Sequence, residues 1–254
     1  MPIVDDLAKG RAILGDLVSG AGRAVVFTGA GISTESGIPD FRSPGGIWSQ
    51  MEPIYFEDFL LSEQARREDW RRRFEMRKLF SEAQPNAAHR AIASLVESGI
   101  VSYVITQNID GLHQRSGVLD ERVIELHGNA VDAACLECAH GMSFDTAQAI
   151  IEAEDRAPRC PVCGGLVKAR VINFGQPMPV DEMERAEIAT DDCDLFVAVG
   201  SSLVVYPAAG FPLAAKSHGA TLVIVNRDPT DQDMAADYVL RGPIGALFEP
   251  LAPT

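Results

Sequence analysis

Five short apolar runs in this chain each end in groups able to do chemistry. Ala24-Val25-Val26-Phe27 leads into GAGISTESGIPDFR (29–42), VSYVI into TQNIDG (106–111), RVI into ELHG (125–128), DLFVAV into GSS (200–202), and ATLVIV into NRD (226–228). Gly29-Ala30-Gly31 offers little side chain where backbone N–H groups can approach a pyrophosphate. Gln107, Asn108 and Asp110 add amides and a carboxylate, Ser201 and Ser202 hydroxyls, and His127 an imidazole. Taken singly, His127 reads equally well as a satisfied core histidine, GSS as a turn and Asn226 as a strand-ending cap. Taken together, the set suits a polyhydroxylated, phosphate-bearing ligand.

A second constellation is Cys135-x-x-Cys138 with Cys160-x-x-Cys163, four of the five cysteines. Two such turns present four thiolates to one ion and complete a tetrahedral shell with no open position, which is a structural zinc site. A pair of disulfides or a redox CxxC are the weaker alternatives, because neither turn opens a helix after a strand and the chain reads as intracellular. His140 reads as a surface histidine, and Cys193 as a small buried residue.

The elements that must position these groups follow from patterning. Apolar positions over 4–19 suit an amphipathic helix. VSYVIT (101–106), RVIEL (122–126), RVINF (170–174), DLFVAVG (194–200) and ATLVIVN (220–226) are β-branched, unalternating runs of strands buried on both faces. Helical patterns lie between them at 85–98, 180–190 and 207–218. This alternation predicts an α/β fold, a Rossmann-like doubly wound parallel sheet. Two excursions interrupt it: a helical, arginine-rich stretch at 45–84 and a smaller inserted zinc ribbon at 130–168. The sheet domain is then discontinuous, over 1–44, 85–129 and 169–254. The zinc insert has no strong core of its own. The arginines of ARREDWRRRFEMRK (65–78) read mostly as a solvated helix face, with one turned inward.

The 254 residues suffice for a proper core, and the formal net charge of −14 is the opposite of a nucleic-acid footprint. The N-terminal MPIVDDLAKG has no apolar signal region, and the longest apolar candidate for a membrane span, SLVVYPAAGFPLAA, holds two prolines. A soluble, cytoplasmic monomer without nucleic-acid or membrane partners is expected.

GAGISTESGIPDFR, PNAAH (85–89), TQNIDGLHQRSG (106–117), ELHG, the double CxxC, FGQPMP (174–179), GSSLVVYP (200–207) and VNRD resemble, in order, the sirtuins, NAD-dependent protein lysine deacylases. The resemblance implies NAD as co-substrate and structural Zn2+. It places Gly29, Ala30, Gly31 and Ser33 at the pyrophosphate turn, and Asp40, Phe41 and Arg42 in a mobile loop over the nicotinamide ribose. It places Gln107, Asn108, Ile109 and Asp110 at the ribose and carboxamide, and Gly200, Ser201, Ser202, Asn226, Arg227 and Ile244 toward the adenosine. It makes His127, with Asn108, catalytic: the acyl-lysine oxygen attacks the ribose as nicotinamide leaves, and His127 deprotonates a ribose hydroxyl that then attacks the resulting imidate. The products implied are nicotinamide, O-acyl-ADP-ribose and free lysine. Val171, Ile172, Asn173, Phe174 and Gly175 would pair with an acylated peptide by strand addition.

Two departures from the family pattern stand out. Gln176 replaces a commoner glutamate. The Tyr-x-x-Arg pair of succinyl-selective members is missing; Phe74 with Arg77, or Trp70 with Arg73, come nearest, so deacetylation is favoured. Protein mono-ADP-ribosyl transfer and a non-catalytic NAD or acyl-lysine binding module are the alternatives.

Overall fold

A computed structural model of the chain describes residues 2–49 and 51–251. The chain opens with β1 (Ile3–Val4), α1 (Leu7–Gly20) and β2 (Ala24–Thr28), and continues through α2 (Phe56–Leu61), α3 (Glu63–Glu82) and α4 (Ala87–Glu97). Next come β3 (Val101–Thr106), α5 (Leu112–Arg115), β4 (Val123–Glu125), β5 (Gly128–Cys135), β6 (Gly141–Ser143), α6 (Phe144–Glu154) and β7 (Val167–Val171). The last part holds α7 (Val180–Asp192), β8 (Leu195–Val199), α8 (Phe211–Ser217), β9 (Thr221–Val225), β10 (Tyr238–Leu240) and α9 (Ile244–Phe248). No helix among the described residues is long and apolar enough to cross a membrane.

Among the described residues a seven-stranded sheet runs in the order β1-β10-β9-β8-β2-β3-β4, parallel throughout. β2 is buried at all five positions, and its residues alternate between two cores. Ala24 and Val26 face Leu14, Val18, Ile92 and Phe248 on α1, α4 and α9. Val25 and Phe27 face Ala186, Ala189, Phe211 and Ala215 on α7 and α8. Burial on both faces explains the unbroken apolar runs. Strand order reverses at β2, with β3 on one side and β8 on the other, and a crevice opens there at the strands' carboxyl ends.

The second sheet, β6-β5-β7, is antiparallel. This corrects the reading of RVINF as a strand of the wound sheet. The strand stops at Val171 and pairs with β5, with Lys168 buried and Arg170 exposed along it. The insert also has a better core than expected, because the helical excursion packs Trp70, Phe80 and Ala83 into it. Trp70 and Phe144 are fully buried, with ring centroids 5.5 Å apart in an edge-on contact, and Phe74 stacks on Trp70 at 5.5 Å. Most arginines of α3 do form a salt-bridged outer face, as with Arg71 between Glu68 and Glu75. Arg66 is buried instead, donating to the Phe59 and Leu60 carbonyls that end α2.

Candidate active site

The glycine turn after β2 crosses the glycine turn after β8, backbone against backbone. Gly29 N–H donates to Val199 O at 3.0 Å and Gly31 N–H to Gly200 O at 2.8 Å. A Cβ on Gly31 would lie 2.7 Å from Gly200 O, and one on Gly200 (φ +63°) 2.3 Å from Ile32 N. Only glycine allows this approach. The segment then winds as a 3-10 helix, Ala30–Ser36, which Gly37 ends in the left-handed region at φ 87°. The sequence showed no helix here, since the turn is too short and tight to leave a 3.6-residue pattern.

These turns form the floor of a cleft of about 1090 Å³. Along its rim stand Gly29–Gly31, Ser33, Asp40–Arg42, Gln107–Asp110, His127, Gly200–Ser202, Asn226, Arg227 and Ile244, every candidate cofactor residue read from the sequence. Asp40 accepts from the Arg42 and Ser43 N–H groups at 3.0 and 2.8 Å and from the Ser43 hydroxyl at 2.5 Å. Burial alone would raise its pKa, but these donors and the nearby Arg227 charge hold the carboxyl below its ordinary range. Asn226 Nδ2 is turned back to Asp228 O at 2.8 Å. Glu35, which the sequence did not mark, accepts from Gly245 N–H at 2.9 Å and pins the start of α9 to the 3-10 segment.

Asn108 is buried and donates through Nδ2 to Gly29 O at 3.1 Å and the Ser33 hydroxyl at 3.4 Å. Ser33 donates in turn to Asp110 Oδ2 at 2.7 Å, and Leu112 N–H to Asp110 Oδ1 at 2.9 Å. Burial raises the Asp110 pKa, and these donors oppose it. His127 Nδ1 lies 3.0 Å from Gln107 O. A carbonyl only accepts, so Nδ1 carries the proton and Nε2 is left unprotonated as a base. Burial draws the His127 pKa below its ordinary value, and the Gln107 carbonyl opposes only part of the shift. Gln107 Nε2 donates to Ser201 Oγ at 2.9 Å, which ties the β3 and β8 ends together.

Val171–Gly175 also line the cleft, but past Val171 they form a turn rather than a strand. Ile172 N–H donates to His127 O at 2.9 Å, Phe56 N–H to Phe174 O at 2.9 Å, and Asn173 N–H to Gln176 Oε1 at 3.2 Å. Gln176 therefore closes this turn. The Asn173 side chain is taken up by protein partners: Nδ2 donates to Ile54 O at 3.0 Å and Asp69 Oδ1 at 3.3 Å, while Oδ1 accepts from Arg73 at 3.2 Å.

Phe74 and Arg77 do not line the cleft, which corrects their placement at an acyl group. Phe74 belongs to the Trp70–Phe144 cluster, and Arg77 pairs with Asp145 at 2.6 Å over the Phe144 ring. The α3 residues that line the cleft are instead Asp69, Arg73, Met76 and Phe80 on one stripe, with Arg72, Glu75 and Leu79 beside it. Positions i, i+4 and i+7 share a face, so Trp70, Phe74 and Arg77 form a stripe one residue, about 100°, around. The sequence reading allowed for one inward arginine, whereas both Arg72 and Arg73 line the cleft; Arg73 is held by Asp69 at 3.0 Å. Beneath it, the Lys168 ammonium is buried, donating to Val171 O, with burial first and Arg73 second drawing its pKa down to about 7.

The four cysteine sulfurs all lie within 4.8 Å of one another, with Cys135 and Cys160 buried and Cys138 and Cys163 exposed. Separations of 3.4 Å (Cys135–Cys163 and Cys138–Cys163) and 3.6 Å (Cys138–Cys160) exclude disulfides, whose sulfurs lie ~2.05 Å apart. They approach the ~3.8 Å edges of a tetrahedron built with ~2.3 Å zinc–sulfur bonds. The cluster thus fits a structural zinc ion and leaves no position for a substrate.

The profile described as "Sir2 family" matches residues 29–207. The NAD-dependent protein deacetylase 1 of Bradyrhizobium diazoefficiens is 54% identical over 98% of this chain and 97% of its own. The NAD-dependent protein deacetylase of Rhodopseudomonas palustris is 51% identical over 98% of each. A solved Sir2 structure with a p53 peptide and NAD+ superposes with a TM-score of 0.81 at 35% identity, covering 94% of this chain and 95% of the other. With the crossing glycine turns, the His127 rim and the four-cysteine cluster all inside or beside the matched span, the chain belongs to the Sir2 family.

Proposed function

We propose that this chain is an NAD-dependent protein lysine deacylase, acting foremost on acetyl-lysine and yielding nicotinamide, O-acyl-ADP-ribose and free lysine. The observation that carries the reading is His127, a neutral imidazole fixed by Gln107 O on the rim of the cleft floored by the two glycine turns. Bound NAD supplies a ribose carbon from which nicotinamide departs, so no serine or cysteine nucleophile is needed. Gly29–Gly31 bring backbone close to the pyrophosphate, and Gly200 lies toward the adenosine. Asn108 and Asp110 hold the ribose and carboxamide, Asp40–Arg42 close over them, and Ser201, Ser202, Asn226, Arg227 and Ile244 take the adenosine end. His127 Nε2 removes the proton of a ribose hydroxyl. Val171–Gly175 offer backbone to an acylated peptide. The cysteine cluster holds zinc remote from the reaction and braces the substrate wall.

We assign the wound domain to 1–44, 85–127 and 172–254, with 45–84 and 128–171 as its excursions, since β5 and β7 pair in the second sheet. The net charge of −14 supports a role without nucleic acid; a cytoplasmic monomer completes the reading. Mass spectrometry of one peptide in acetyl, succinyl and long-chain acyl forms, with and without NAD, tests it. The expected outcome is NAD-dependent loss of the acetyl group, abolished in His127→Ala. No acyl loss from any form by zinc-loaded protein would overturn the proposal, and ADP-ribose added to a protein would replace it with transferase activity.

A further inference from the structure

Behind the cleft floor lie two histidines that the proposed reaction does not use. His89 and His113 are 0% and 2% exposed, with ring centroids 5.1 Å apart and planes tilted by 55°. Each ring has one bonded nitrogen and one without a protein partner. His89 Nδ1 accepts from Asn86 N–H at 3.4 Å, so Nε2 carries its proton. His113 Nε2 lies 2.9 Å from Thr28 Oγ1, which donates to Thr106 Oγ1 at 2.8 Å. Thr28 must therefore accept from His113 Nε2–H, leaving His113 Nδ1 an acceptor. Burial pushes the His89 pKa down to about 4 and that of His113 well below its ordinary value, so both rings are neutral. The two nitrogens left over are complementary, one donor and one acceptor.

The bonds leaving this pair run to opposite walls of the cleft. On one side His89 and Asn86 form a reciprocal cap at the start of α4. Asn86 Nδ2 then donates to Ile32 O at 2.7 Å and Ser36 Oγ at 3.0 Å, holding the 3-10 segment that carries Ser33. On the other side Thr106 Oγ1 accepts from Asn108 N–H at 3.0 Å. Asn108 reaches back to Ser33 and Gly29, so the two sides meet again at the cleft, and between the imidazoles the path rests on ring contact alone. The bonds converge on Thr106 Oγ1, which accepts from Thr28 on one side and from Asn108 on the other, so displacing either histidine would be felt at both walls. We infer that His89 and His113 are positioning residues for the dinucleotide end of the cleft, setting the spacing of the Ser33 and Asn108 walls without touching ligand. The inference rests on the proposed use of that cleft for NAD, and it predicts an effect on NAD that acylated peptide does not share.

The test is steady-state kinetics with separate titrations of NAD and acetyl-peptide on His113→Leu, His113→Gln, His89→Leu, His89→Asn and Thr28→Val, each first checked for a cooperative thermal transition. Glutamine can place an amide N–H near the position of His113 Nε2, and asparagine a carbonyl near that of His89 Nδ1. Losing one buried hydrogen bond in the path is expected to raise KM for NAD about tenfold in the leucine variants and in Thr28→Val. KM for peptide should stay within about twofold, and Gln or Asn should recover most of the loss. Where a leucine variant does not fold, Thr28→Val breaks the path at its middle and decides alone. A folded variant with unchanged KM for NAD, or KM values for NAD and peptide that rise together, would overturn the inference. Absence of any NAD-dependent turnover by the unaltered protein would instead overturn the proposed function.

Discussion

His127 shows how much one backbone carbonyl decides. Because Gln107 O holds the Nδ1 proton, the ring is committed to the tautomer that can accept a proton at Nε2, and burial keeps that nitrogen free at neutral pH. The sign follows: the active form is unprotonated and the pKa lies below 6.5, so activity should be flat through neutrality and fall only as pH drops beneath that value. A pH profile of kcat/KM with its acid half-point above 6.5 would remove His127 from the role of base. His127→Ala should lower the rate by about two to four orders of magnitude. Arg73 makes the opposite point, that a charge at a cleft need not be available to a ligand. Asp69 is almost fully buried and neutralises the guanidinium, and Asn173 takes a further donor. A succinyl carboxylate would have to displace both. Acetyl-peptide should therefore turn over faster than succinyl-peptide, and Asp69→Asn, which keeps the shape but releases Arg73, should narrow the ratio; competition between the two peptides in one mixture measures it.

At the scale of elements, the wound strands were legible because burial on both faces leaves unbroken β-branched runs, and the rim residues other than Ile244 followed one of them. His127 and Asn108 could be placed before any coordinates for that reason. β7 was misplaced for the same reason, since Val171-Ile172 looks apolar whichever sheet takes it. The signal against it was Lys168 and Arg170, which a strand buried on both faces would not carry. The cleft-facing stripe of α3 was not legible either, because a one-residue error in register turns the face by about 100°. Lys168 offers a test of the assigned packing. Its folded-state amine gives up its proton near pH 7, against 10.5 when unperturbed, because burial disfavours the charge. Between those values the unfolded chain binds the extra proton, so stability should rise with pH through the window, by up to about 1.4 kcal/mol per unit. The cost of charging the buried amine is full below pH 7 and gone above 10.5. Denaturant unfolding of wild type and Lys168→Met from pH 7 to 9.5 isolates it. The wild type should gain on the variant as pH rises, and a constant difference would mean that the amine is solvated.

In the whole molecule, the two excursions and the sheet are held by different means, and metal removal should separate them. The wound sheet has its own two cores, whereas β5, β7 and α6 share one core with α3, in which Cys135 and Cys160 are themselves buried members. A structural zinc ion contributes on the order of 10 kcal/mol to such a module. Without it, four sulfurs within 4.8 Å of one another lose the ion that holds them, and the Trp70–Phe144 contact loses its footing. The glycine crossing is made by β2 and β8 alone and should survive. The substrate wall should not, because Val171–Gly175 continue directly from β7 and are anchored to α3 through Asn173. The chain has two tryptophans, so Trp48→Phe leaves Trp70 as the reporter of the shared core. Stripping metal with a strong chelator should shift its emission to the red and abolish deacetylation, while NAD still quenches or protects the protein with affinity changed by less than about tenfold. Restoring zinc should reverse both effects. Simultaneous loss of NAD binding and of all cooperative unfolding would show instead that the sheet depends on the zinc module for its own fold.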